Sequence, residues 1–575
     1  MRLKVTAFWL VALTALFVFL QEYSRFHFFF IEHSQLFQFT GEYISGKLSM
    51  PGGFALTLSE FLVQFFRYSY AGAGITAVLL LFAGIGMRGI VRRIVPDTGL
   101  FLLYLIPVIL LMFLHFDFNY LVFETIAFNL MLLALYLCLR ISDDKWRMIA
   151  EIVVTPLLYG LAGAVACLFA LSVLIYEFLN KTPKFYWVLC GICSVYFALL
   201  GEYRFAFLPD AYYHTALEPK SVIYYSWISF PLILIVAFML RKRKKEIGKK
   251  TRIAGVVLQL ALLFAFCWWG IPKYGDRKSA KVKELDYYAR TEQWDKILDA
   301  SKGTLTNYLN MCYLNLALAQ RGELADQMFN FDHRGPQGLM VGWNKTEQIS
   351  SLLSDIAFAM GNSAMAQEMA FEAYATAIGE GNPRMLKRLV QTNIIYGEYQ
   401  VAEKYLNILG NTVYYKNWAD EHRQFLYNDA AVEQDPVLGS RRKCLPKENY
   451  LSEINYMEKD LCMVAEANPK NKAAIQYLGA LYLLAKNMDG FKKMVETYYG
   501  TEVLPSLPKS FQEAVITLSE AEPDYWKRFD ISPSVMQRFA EYKKQVLGNR
   551  NNKNALPGLM RRAYGDTYWF YFMFK

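Results

Sequence analysis

Charge is scarce in this chain. Asp, Glu, Lys and Arg make up 19% of its 575 residues, against 54% hydrophobic. That balance excludes a fully soluble protein and points to an integral membrane protein. Missing too are a glycine-rich phosphate cradle, a zinc-ligand spacing and a nucleophile elbow. No small-residue cleavage site follows the first apolar run, Val5–Leu20, and more apolar spans come after it. The run therefore reads as an anchor rather than a removable signal. Few charges fall inside the apolar spans, which argues against an ion-coupled carrier. The net charge of +10 gives no nucleic-acid signal, because the densest basic run lies between two apolar segments.

Five of the eight cysteines (Cys138, Cys167, Cys190, Cys193 and Cys267) lie in apolar spans, where Cys behaves as a small hydrophobe. Cys190 and Cys193 form a CxxC, but the rest of a redox or metal site is missing around it. Neither a metal nor a cofactor is indicated. Cys444 and Cys462 lie in the C-terminal half, and their spacing leaves open whether they pair.

What is present is a division at about residue 272. Before it, apolar runs dominate; after it, charge returns to soluble-protein frequency. The pivot is Arg241–Lys250, RKRKKEIGKK, with seven Lys or Arg in ten residues. A loop so basic between Val222–Leu240 and Ile253–Gly270 stays on the cytoplasmic side and faces anionic head groups. The charge rule then predicts about nine crossings: Val5–Leu20, Ala71–Met87, Leu100–Leu114, Leu121–Leu139, two short broken crossings within Ile149–Asn180, Phe185–Leu200, Val222–Leu240 and Ile253–Trp269. Pro156, Gly160 and Gly163 supply the expected break. The N-terminus is placed inside, and residues 273–575 outside, in the periplasm of a bacterial inner membrane.

Three outer connections follow. Residues 21–70 carry Glu22, Glu32, His33, Gln35, Glu42 and Glu60 among aromatics. Leu36, Phe39 and Tyr43, and again Phe61, Phe65 and Tyr68, have the spacing of one helix face. This predicts surface helices parted by Pro51-Gly52-Gly53. Residues 201–221 add Glu202, Arg204, Asp210 and His214, and the turn His115–Tyr120 adds Asp117. If the three converge, they form a pocket in which Glu32 is the first choice for a base. Glu42 or Asp117 would be the second carboxylate. Gln35, His33 and Glu202 would line the pocket, and Arg204 would hold a phosphate in bidentate fashion. The plainer alternative is that these polar groups only solvate an interfacial helix. Glu124 and Glu151 lie in or near apolar spans, with Glu151 expected to snorkel inward beside Arg147.

The first half, with its polar first outer loop and the paired short crossings in WRMIAEIVVTPLLYGLAGAVACLF, resembles the GT-C superfamily of glycosyltransferases. That resemblance implies a polyprenyl-phosphate-linked sugar as substrate, taken up at the outer membrane face. The adjacent acidic pair usual in that superfamily's first loop is absent. The chain as a whole resembles a family of bacterial multi-pass proteins in which Glu-x-x-Gln-Leu-Phe precedes Pro-Gly-Gly. Here those are Glu32–Phe37 and Pro51–Gly53.

The overall expectation is an all-α protein, a polytopic bundle (1–272) followed by a helical-repeat solenoid (273–575). The second half repeats helix, Gly turn, helix, with turns at Gly322, Gly361 and Gly397 and small residues Ala325, Ala364, Ala366 and Ala402 after them. It resembles a tetratricopeptide-type array. Such a surface takes a protein or peptide ligand, or merely covers the outer loops. The aromatic end DTYWFYFMFK is expected to dock rather than hang free. Membrane lipid is the partner common to every reading. The two functions carried forward are glycosyl transfer and a non-enzymatic membrane scaffold that recruits envelope proteins.

Overall fold

The computed structural model describes residues 2–95, 102–117, 120–200, 222–241, 249–275, 277–377, 381–447, 457–520, 522–552 and 554–575. The all-α expectation holds, with no β-strand among the described residues. The chain forms two compact units, Met1–Ala280 and Lys281–Lys575.

The first unit contains α1 (Arg2–His33), α2 (Gly41–Leu48), α3 (Gly53–Val63), a 3-10 turn at Gln64–Arg67, α4 (Ala71–Ile94), α5 (Leu102–Leu114) and α6 (Phe123–Cys138). It continues with α7 (Asp144–Ala162), α8 (Val165–Leu179), α9 (Tyr186–Leu200), α10 (Val222–Arg241) and α11 (Lys249–Tyr274). Three stretches among the described residues are long and apolar enough to cross a bilayer: Val5–His33, Ala71–Ile94 and Ile253–Tyr274. That is fewer than nine. Helices such as α5 and α6 are equally apolar but have 13 and 16 residues. They rise only ~20–24 Å against a hydrocarbon core of ~30 Å. Along α11, Val257, Leu260, Phe264 and Trp268 are exposed, as on a helix that meets lipid rather than protein.

The first crossing does not end at Leu20. With no Gly or Pro in residues 21–33, nothing stops the helix, and α1 runs on to His33. The connection from α1 to α4 therefore opens at Ser34. Small residues of α4 let α1 approach closely: a methyl group on Gly72 would lie 2.5 Å from Phe28 Cβ. The last apolar helix likewise passes through Pro272 to Tyr274.

Two glycines lock the connection between α1 and α4 onto the broken helix pair. Gly52, at φ +76°, turns the chain between α2 and α3. Its amide donates to the carbonyls of Tyr159 and Gly160, at 3.1 and 3.0 Å. Those carbonyls lie in the last turn of α7, which stops two residues later, where Gly163 takes φ +72° and ψ −142°. A Cβ on Gly52 would meet Gly163 Cα and N at 3.3 Å. Of the three breakers in the run, Gly163 ends the helix, and Pro156 and Gly160 lie inside α7.

The second unit begins within α12 (Arg277–Arg290) and proceeds through α13 (Trp294–Ala300), α14 (Tyr308–Gln320), α15 (Leu324–Gln327), α16 (Glu347–Met360), α17 (Ser363–Thr376), α18 (Pro383–Tyr396), α19 (Tyr399–Gly410) and α20 (Lys416–His422). From α16 to α20 each helix packs on the next. Gly361 and Gly397 cap α16 and α18 in the left-handed region, where glycine carries no Cβ penalty. Ala325, Ala366 and Ala402 are fully buried after their turns, while Ala364 is half-buried. A later hairpin joins Lys472–Ala485 to Met488–Tyr498, turned by Lys486 at φ +54° and capped by Asn487.

The terminal helix Tyr568–Phe574 docks on this unit. Trp569 Nε1 donates to the Glu513 carbonyl at 2.9 Å, and the Tyr571 hydroxyl to the Leu484 carbonyl at 2.8 Å. Cys444 and Cys462 are free thiols. Cys444 Sγ lies 3.3 Å from the Ser440 carbonyl, and Cys462 borders Tyr482.

Candidate functional site

The unbroken α1 carries Glu32 and His33 to its C-terminal end, just before the chain turns at Ser34. Glu32 is 3% exposed. Its Oε2 lies 3.1 Å from His33 Nε2. Ser34 and Gln35 are also buried. Three atoms in this run, His33 Nδ1, Ser34 Oγ and Gln35 Nε2, have no hydrogen-bond partner among the described residues. Buried polar groups are almost always paired, because burying one alone costs ~1–3 kcal/mol. A cluster of such atoms beside a buried carboxylate is therefore a place for a polar ligand or ordered water.

Glu42 does not join this group. It lies in the first turn of α2, exposed, where its charge suits the helix N-terminus. The carboxylate that the connection from α1 to α4 buries is Glu60. Tyr43 Oη is 2.6 Å from Glu60 Oε2, and Lys47 Nζ is 2.8 Å from Oε1. Tyr43 Oη is also 2.7 Å from the Leu36 carbonyl. Lys47 went unrecognised in the sequence, although its i, i+4 spacing from Tyr43 places both on one face of α2. The spacing of Leu36, Phe39 and Tyr43 misleads, because α2 starts only after the Thr40 cap. Leu36 and Phe39 precede it in extended chain. Phe39, Phe61 and Phe65 instead close a ring cluster around Phe37, with Phe37–Phe61 at 5.6 Å and Phe61–Phe65 at 5.5 Å.

Asp117 belongs to a second cluster, in the turn from α5 to α6. It is buried with His115, Tyr120, Glu124 and Thr125. His115 Nε2 and Tyr120 Oη each lie 2.9 Å from Thr125 Oγ1. Burial pulls the His115 imidazole down to about 3, so it is neutral at physiological pH. Neighbouring Phe116 packs on Phe19 and Tyr23, more than two helical turns before Glu32. The structure thus brings Glu32, His33 and Gln35 together and places Asp117 elsewhere. Glu202 and Arg204, with the rest of 201–221, lie outside the described residues, as does 242–248 of the basic loop.

A third cluster was only partly visible in the sequence. Arg147 of α7 grips Glu177 of α8, with Nε–Oε1 at 2.6 Å and Nη2–Oε2 at 3.1 Å. Its Nη2 also meets Asp144 at 2.6 Å. Glu151 does not snorkel to the surface: it is 0% exposed, and neither carboxylate oxygen has a partner among the described residues. It sits one turn beyond Arg147, on the face turned toward α8. No group of three or more His, Cys, Asp or Glu among the described residues is arranged to hold a metal ion.

No curated protein and no solved structure matches the chain. A family model does match, over residues 1–575, and its description is a family of unknown function, DUF6057. The chain belongs to that family throughout its length.

Proposed function

We propose that the membrane unit transfers a sugar from a polyprenyl-phosphate carrier at the outer membrane face, with Glu32 as general base. One observation supports the reading more than any other: the buried Glu32–His33 contact beside the unpartnered atoms of His33, Ser34 and Gln35. In the step envisaged, Glu32 takes the proton of an acceptor hydroxyl as its oxygen bonds to the anomeric carbon. The bond from that carbon to the phosphate oxygen breaks, and the polyprenyl phosphate leaves with the electron pair. His33 orients the carboxylate, and Gln35 Nε2 donates to the sugar. Arg204 holds the phosphate and Glu202 lines its approach. The reading keeps the topology of about nine crossings, with the N-terminus cytoplasmic and the second unit in the periplasm. The Gly52–Gly163 contact supports it by fixing the outer connection on the paired helices α7 and α8.

The second reading is a membrane-anchored scaffold, in which the helical hairpins recruit an envelope protein and no bond is made. Glu32→Gln separates the two. Membranes holding equal amounts of wild-type and variant protein are given radiolabelled polyprenyl-phosphate sugars, and label transferred from the lipid is counted. Loss of transfer in the variant is expected. Equal transfer in both, or none in either, removes the catalytic reading.

A further inference from the structure

The second unit holds a cavity of about 280 Å³ whose walls come mainly from alternate helices, with Trp294 of α13 beside them. Arg290 lies on α12, Gln320 on α14, Asp355 on α16, Arg384, Lys387 and Arg388 on α18, and Trp418 on α20. The cavity is therefore a trough across the first helices of successive hairpins, not a gap inside one of them. Its lining is more cationic than anionic: Arg290, Arg384, Lys387 and Arg388 face only Glu292 and Asp355.

The floor is a preorganised ion-pair network. Asp355 receives both Arg384 and Arg388, the second at 3.0 Å. Arg384 also reaches Asp286 at 2.7 Å. The side chains of Arg384 and Arg388 keep only 13% and 16% of their surface exposed, so their charges act in a medium less polar than water. Arg388 is held in place by the Phe358 ring, 3.6 Å from its guanidinium carbon, and its Nε has no partner among the described residues. Lys387 rests over Trp418 and Tyr415, at 4.9 and 5.1 Å. The other face of Trp418 is stacked on His422 at 3.7 Å. That indole is covered on both sides and holds Lys387 rather than offering a face to a flat ligand.

From this geometry we propose that the trough binds an extended acidic segment of a partner polypeptide, whose carboxylates meet Arg388, Lys387 and Arg290. An isolated anion would use one guanidinium. Three cations at i, i+3 and i+4 of α18, with a fourth on α12, suit a chain that presents charges at intervals. Both arginines that pair with Asp355 are fixed in place before the ligand arrives, so little side-chain entropy is lost on binding. The proposal is independent of the transferase reading, since it uses no residue of the membrane unit.

The test uses the full chain in detergent and two fluorescein-labelled peptides, one alternating Glu with Ala and one alternating Gln with Ala. The Glu peptide should bind at least about tenfold more tightly, and its affinity should fall as salt is raised. Lys387→Gln leaves the floor network intact, keeps the wild-type melting temperature and should weaken the Glu peptide several-fold. Equal affinity for both peptides overturns the proposal, as does wild-type affinity in Lys387→Gln. Binding to phosphatidylglycerol vesicles with none to the Glu peptide would assign the cations to lipid head groups instead, and also overturns it.

Discussion

The two units bury polar side chains in different ways. In the second, a buried polar residue usually makes at least one bond that the fold needs. Asn362, Asn382 and Asn471 cap helices, and Asn315 Nδ2 donates to the Gly338 carbonyl. Some atoms left over belong to groups otherwise engaged, such as Glu513 Oε1, and others, such as Tyr477 Oη and Ser301 Oγ, are the sole polar atom of their side chain. In the first unit, the atoms left over gather. Glu151 has neither oxygen paired, and His33, Ser34 and Gln35 form a consecutive run. What sets the membrane unit apart among the described residues is that His33, Ser34 and Gln35 carry such atoms at three consecutive positions.

The largest effect should come from the Arg147–Glu177 ion pair of the membrane unit. Arg147→Met leaves Glu177 buried without its cation, and removing one member of a buried pair costs ~3–5 kcal/mol. Thermal unfolding in detergent should show a marked drop in Tm, and Glu177→Gln in the same chain should recover part of it. An unchanged Tm would mean that the pair is solvated, and would erase the contrast between the units.

A slightly smaller effect is expected in the second unit, from Glu513. Burial pushes its carboxyl up to about 7 from 4.5. A folded pKa above the unfolded one means that the native state holds the proton more tightly. The stabilisation is fully present below about 4.5 and is lost as pH rises through about 7. It amounts to on the order of 3 kcal/mol. Glu513→Gln should therefore melt at nearly the same temperature at pH 5 and pH 8, while the wild type loses stability between them. Parallel curves for the two proteins would show that Glu513 is hydrated.

Smaller again, Gly52→Ala adds a methyl group at φ +76° against the Gly163 backbone. A left-handed alanine costs ~1–2 kcal/mol. Reduced Tm should be accompanied by faster hydrogen exchange in residues 53–63 if the turn is what holds α3 to α7. Slowed or unchanged exchange there would mean that the contact holds nothing.

Much of this architecture is legible in the chain. The hairpin turns at Gly361 and Gly397 follow from glycine after an apolar helix, and the break near Gly163 from clustered helix breakers. The extent of α1 is not, because the apolar run through Phe26–Ile31 looks the same whether it continues a helix or lies on a surface. The candidate site was half-visible. Glu32, His33 and Gln35 stand out as polar residues among aromatics, but so does Glu42, and only folding distinguishes it from Glu60. Tyr43, Lys47 and Glu60 come from two helices and meet across a glycine turn.

By itself the sequence determined what local physics decides: helix as the only element, the apolar lengths, the basic loop, and the positions where a missing Cβ lets the chain turn. Only tertiary structure decided which carboxylates lose water. Burial depends on what packs from elsewhere in the chain. It pairs Arg147 with Glu177 across two helices, leaves Glu42 exposed while enclosing Glu60, and lines one trough with cations drawn from α12 and α18.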